Sequence, residues 1–67
     1  MTPRKISVTI RRLREEQGMT QAQLAKRAKV TQGYISQLEA GTIQDIGTKV
    51  AVRLAKALGV PVTDLLA

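Results

Sequence analysis

Cysteine and histidine are both absent from this 67-residue chain, as are phenylalanine and tryptophan. Without cysteine there is neither a disulfide nor a thiolate metal site. Without histidine the commonest metal ligand and the commonest general base near neutral pH are missing. The five acidic residues are scattered and form no recognisable catalytic constellation, so neither an enzyme nor a cofactor is expected. No stretch approaches the roughly 20 apolar residues that cross a bilayer. The start, Met1-Thr2-Pro3-Arg4-Lys5, is basic but has no apolar run after it, so it is not a secretory signal. A cytoplasmic protein is expected.

What is present is aliphatic and basic. Apolar residues make up 43% of the chain, and Tyr34 is its one aromatic residue, so the core must come from aliphatic packing. The length allows one domain, of modest stability, because a chain this short buries only about 60% of its unfolded surface. Eleven bases against five acids give a net charge of +6, which points to a polyanionic partner. That charge is unevenly placed. Up to Val30 there are Arg4, Lys5, Arg11, Arg12, Arg14, Lys26, Arg27 and Lys29 against only Glu15 and Glu16. From Thr31 onward Lys49, Arg53 and Lys56 balance Glu39, Asp45 and Asp64. All the excess charge therefore precedes Thr31.

The spacing of apolar residues predicts five helices. Ile6, Ile10 and Leu13 share one helical face, which ends at Gly18; the helix begins near Thr2-Pro3, or later with Ser7 as its cap. Thr20 and Gln23 fit a capping box for the second helix, with Met19 and Leu24 as its hydrophobic staple and Ala28 near its end. Lys29-Val30-Thr31 turns the chain, and Thr31 caps a third helix over residues 32–40, stopped by Gly41. Two short helices joined by about three residues are a helix-turn-helix unit. Residues 42–47 read as a loop. A fourth helix carries Val50, Leu54 and Leu58 on one stripe and ends at Gly59. A last helical turn over residues 62–66 brings Leu65 and Leu66 to the core. Residues 1–5 form a basic arm at the edge of the domain that could be disordered.

The third helix divides by face. Ile35 and Leu38 point inward, which leaves Gln32, Gly33, Ser36 and Gln37 outside. Amides and hydroxyls suit base edges, since glutamine can bond adenine bidentately and serine or threonine can serve several bases. The positive charges lie on the flanking segments, where phosphates would be met. Polar residues on a helix face can equally be plain solvated surface. Gly33 costs helix stability, and either a close approach to DNA or to the second helix, or simple tolerance near a helix start, accounts for it.

Together these residues resemble the phage repressor/Cro (Xre-like) helix-turn-helix family. The resemblance rests on Met19-Thr20-Gln21-Ala22-Gln23-Leu24-Ala25, Val30-Thr31-Gln32, Tyr34-Ile35-Ser36-Gln37-Leu38-Glu39 and Gly41, and on Leu54-Ala55-Lys56-Ala57-Leu58-Gly59-Val60 with Leu65-Leu66. It implies an all-α, five-helix lambda-repressor-like domain that binds double-stranded DNA with the third helix in the major groove. It also implies roles. Thr31, Gln32, Ser36 and Gln37 match base-contacting positions; Gln21 matches a phosphate contact that also braces the recognition helix. Tyr34 matches a position near the DNA backbone, although packing of its ring is an equal reading. Arg14 and Glu39 match a pair that locks the first helix to the third, and Arg11, Arg12 and Arg14 are candidates for phosphate.

Such proteins bind as symmetric homodimers on pseudo-palindromic operators, so a bacterial or phage repressor acting on the nucleoid is implied. Ile43, Ile46, Val60 and Pro61 are the apolar candidates for a dimer surface. The chain departs from the family in a longer loop over residues 42–47, where Asp45 would repel a phosphate, and at Gly33, which has no side chain to read a base. Discrimination should then rest chiefly on Gln32 and Gln37. A different class of function is a protein-interaction module of the same fold, such as an antitoxin or a phage accessory protein.

Overall fold

A computed structural model describes residues 6–43 and 45–66, with the backbone alone at Leu66. The expected arm over residues 1–5, a helix start near Thr2-Pro3 and the inward placing of the Leu66 side chain lie outside the described residues. Within them the secondary structure is entirely helical: α1 (Ile6–Glu16), α2 (Gln21–Ala28), α3 (Gln32–Glu39), α4 (Thr48–Leu58) and α5 (Val62–Leu66). This is the all-α, five-helix, lambda-repressor-like architecture.

Local chemistry explains where α2 and α3 begin. The Thr20 hydroxyl accepts from the Gln23 N–H at 3.1 Å, and the Thr20 N–H donates to the Gln23 side-chain carbonyl at 2.9 Å. This closed capping box satisfies two amides that a bare helix start would leave open. Thr31 caps α3 with a single bond, its hydroxyl accepting from the Tyr34 N–H at 3.1 Å. Loss of either hydroxyl should cost about 1 kcal/mol. Ser7, by contrast, lies inside α1 with its side chain buried, so it does not cap that helix. At the other end of α3 the regular helix stops at Glu39, and Ala40 is its C-cap.

The core is aliphatic throughout. Ile10, Leu24, Ile35, Leu38, Leu54 and Leu58 are fully buried, and Met19 and Leu65 join them. Met19 and Leu24, on either side of the Thr20 cap, both belong to this core. Helix α2 packs most extensively against α3 and α4. Ala25, Ala28 and Ala55 are small enough to let these helices approach closely. Helix α1 packs on α3 and α5, so α2 and α3 are held from both sides. Gln17 adds a polar tie, its amide donating to the Leu58 carbonyl at the end of α4.

Thr9, an α1 residue outside the apolar spacing, is 2% exposed, and its hydroxyl has no hydrogen-bond partner among the described residues. Ile43 and Ile46 from the loop and Val60 before α5 are half-buried against the core. Of the four apolar residues expected at a dimer surface, Pro61 alone is exposed.

Candidate nucleic-acid interface

The Glu39 carboxylate sits at the junction of α1, α2 and α3, with its side chain only 4% exposed. It accepts from Arg14 Nε at 2.6 Å and Nη2 at 2.9 Å, and from the Gln21 amide at 3.1 Å. The fork of the guanidinium matches the carboxylate, which gives a charge-assisted bidentate pair with fixed geometry. A further Arg14 donor, Nη1, reaches the Met19 carbonyl at 2.7 Å. Burial raises the Glu39 carboxyl, but the hydrogen bonds from Arg14 and Gln21 and the nearby Arg14 and Arg11 charges outweigh it and hold the group below its ordinary value. The same hydrogen bond to Glu39 raises Arg14. Both stay ionised at neutral pH.

This network joins three helices. The Arg14 side chain is 12% exposed and its donors reach Glu39 and the Met19 carbonyl, which ties α1 to the end of α3. Gln21 is drawn onto Glu39, which brings the start of α2 to the end of α3. Beside them Arg11, Ser36 and Ala40 complete the rim of a polar cleft of about 280 Å³.

The outer face of α3 remains free of such ties. Gln32, Gly33, Ser36 and Gln37 are all exposed. Thr31 is exposed as well, with its hydroxyl oxygen already accepting the cap bond. Tyr34 is half-buried with its ring against the core, and burial pushes its phenol up. Nothing among the described residues demands glycine at position 33. A Cβ there would meet only Thr31 Oγ1, at 4.0 Å, so close approach to α2 is not the reason for it.

The positive charge is divided in a way that composition does not show. Arg11 and Arg12 are well exposed, and each pairs with a glutamate one turn on, Arg11 with Glu15 at 3.2 Å and Arg12 with Glu16 at 3.1 Å. Exposed pairs of this kind are worth only about 0.3–0.5 kcal/mol and leave the arginines available to a stronger anion. Lys26 and Arg27 in the last turn of α2, and Lys29 after it, have no acid partner among the described residues. Lys29 also carries a backbone feature that residue spacing could not reveal. It is the C-cap of α2 at φ 60° and ψ 43°, the left-handed region. The only signal in the sequence was a three-residue turn with no glycine in it.

A rigidly held helix with a neutral, hydrogen-bonding outer face and cations on its flanks, in this five-helix frame, defines a DNA-binding transcriptional regulator of the helix-turn-helix class. The chain belongs to the helix-turn-helix family, whose model matches residues 10–65. Among solved structures it is similar to the DNA-binding domain of the P22 C2 repressor, at 30% identity and a TM-score of 0.89, over 98% of this chain and 86% of that one. It is similar also to the clp gene regulator ClgR from C. glutamicum, at 31% identity and a TM-score of 0.81, over 91% of this chain and 78% of that one. A third is SinR, a master regulator for biofilm formation solved in complex with DNA, at 27% identity and a TM-score of 0.89, over 92% of this chain and 98% of that one. No curated protein sequence matches the chain.

Proposed function

We propose that the chain is a repressor that binds a pseudo-palindromic operator as a homodimer, each copy laying α3 in the major groove. The observation that carries this reading is the contrast on α3 itself: Glu39 is locked into α1 and α2, while Gln32, Ser36 and Gln37 are exposed and free to bond base edges. In this reading Gln32 and Gln37 discriminate between bases, and Thr31 and Ser36 add contacts to bases or adjacent phosphates. Gln21, at the positive end of α2, meets a phosphate with the amide hydrogen that Glu39 does not use. Arg11 and Arg12 exchange weak glutamate pairs for phosphate, and the Tyr34 hydroxyl lies near the backbone. Similarity to the P22 C2 repressor and to SinR, solved on DNA, supports the reading. No helix among the described residues is long and apolar enough to cross a membrane, which fits action in the cytoplasm of a bacterial or phage-infected cell.

Selection of bound sequences from random duplexes tests this directly. An enriched site with two related half-sites about one helical turn apart is the expected result. An enriched single half-site would remove the dimer from the proposal. No enrichment at all would overturn sequence-specific binding in favour of a protein-interaction module.

A further inference from the structure

Four helix ends close on a left-handed residue. Three of them use glycine: Gly18 at φ +69°, Gly41 at +83° and Gly59 at +70°. The fourth, after α2, uses Lys29 at φ 60°, the only non-glycine residue with positive φ among those described. Its N–H serves the carbonyls of Ala25 and Lys26, as any residue's would. Its Cβ, however, crowds the following carbonyl, so the backbone alone would favour glycine here.

Nothing among the described residues repays that strain. The Lys29 side chain is exposed, lies outside the hydrophobic core, and makes no hydrogen bond or ion pair among the described residues. The negative end of the α2 dipole already has Lys26 and Arg27 in the last turn. Four residues on, Gly33 shows the reverse mismatch, a glycine in a helical position with open room for a side chain. The two mismatches flank Thr31 and Gln32, at the start of α3. In a helix-turn-helix complex the N-terminal residues of the recognition helix contact base edges while the first helix of the unit crosses the DNA backbone, and Lys29 caps the end of that first helix next to the recognition helix.

Resting on the DNA-binding reading above, we propose that Lys29 is a DNA phosphate contact, placed at the rim of the groove that α3 enters and held there against its backbone preference. It belongs to the part of the surface where cations are uncompensated, whereas Arg11 and Arg12 face Glu15 and Glu16.

Three variants separate charge from strain. Lys29→Gly removes both, Lys29→Ala removes the charge alone, and Lys29→Arg keeps both. Binding would be measured from about 50 to 200 mM salt on the enriched duplex and on a mixed-sequence duplex of equal length. Lys29→Gly and Lys29→Ala should weaken binding about 3- to 10-fold on both duplexes and flatten the slope of log K against log salt by about 0.9. Lys29→Arg should retain both. In thermal unfolding Lys29→Gly should raise Tm by about 2–8 °C, and Lys29→Ala should leave it close to that of the parent. Unchanged affinity and slope in Lys29→Gly and Lys29→Ala, with the parent binding normally, would overturn the phosphate contact. A lower Tm in Lys29→Gly would show that the side chain supports the fold and would overturn the idea that it is held against preference. If the parent chain binds neither duplex, the DNA-binding reading fails first, and this contact with it.

Discussion

The two ends of α3 are built on opposite terms. At its C-terminal end Glu39 is almost fully buried and takes hydrogen bonds from two other helices. At its N-terminal end the residues are exposed, the cap is local to Thr31 and Tyr34, and Gly33 and Lys29 are poor choices for their backbone conformations. One end fixes where the helix lies. The other leaves groups unsatisfied within the chain, which is what a surface that bonds DNA requires. The difference means that stability and binding should respond to substitution at different ends.

The largest effect should come from the buried end. Glu39→Ala strands the Arg14 guanidinium in a nearly buried place and should cost about 3 kcal/mol, lowering Tm on the order of 10–20 °C. Its pH dependence has a definite sign. Because the folded carboxyl is held below its ordinary value, the stabilisation is fully present above the unfolded carboxylate range and is lost as pH falls through the folded value. Denaturant titrations of parent and variant should show a constant gap near neutrality that narrows below about pH 4. A gap undiminished in acid would take the ionised network out of the explanation.

Next in size are the readers at the exposed face. Gln32→Ala and Gln37→Ala should each cost about 1–3 kcal/mol of affinity on the enriched site, with relaxed choice at the bases they meet and little change in Tm. Equal losses on mixed-sequence DNA would show that they do not discriminate. A control away from both ends of α3 is Thr9→Val, which removes a buried unpartnered hydroxyl at nearly constant volume. It should stabilise the fold by about 1 kcal/mol and leave DNA binding unchanged. Smallest is Gly33→Ala, with about 0.5–1 kcal/mol of added stability. Calorimetry and binding assays on the same sample should show Tm rising while affinity falls, because the added methyl group obstructs close approach to DNA. Improved stability with unchanged affinity would make Gly33 merely tolerated.

Local signals made most of the frame legible. Thr20 with Gln23, and Thr31 before Gln32, announce helix starts because caps are made within four residues of chain. Ile35 and Leu38 mark the inner face of α3 by spacing alone, and all the residues on its outer face follow from that. Ser7 and Thr9 were less readable. Both are buried because α1 is covered by α3 and α5, and a polar residue in the sequence does not declare how many neighbours will surround it. The pairing of Arg14 with Glu39 came from family resemblance rather than from spacing, since 25 residues separate the two and no local rule joins them.

By itself, then, the sequence determined the five helices, the N-caps of α2 and α3, the aliphatic core positions and a net positive charge, all short-range consequences of residue type and period. Tertiary structure decided how those cations are used. Packing of α1 against α3 drew Arg14 onto Glu39, and closure of the α2–α3 turn put Lys29 in a left-handed conformation with its charge unmatched among the described residues, whereas the pairs of Arg11 with Glu15 and Arg12 with Glu16 are one-turn contacts that helix period alone implies. Charge is a property of composition, but whether it is spent within the chain or offered to a partner depends on distances that only the folded backbone sets.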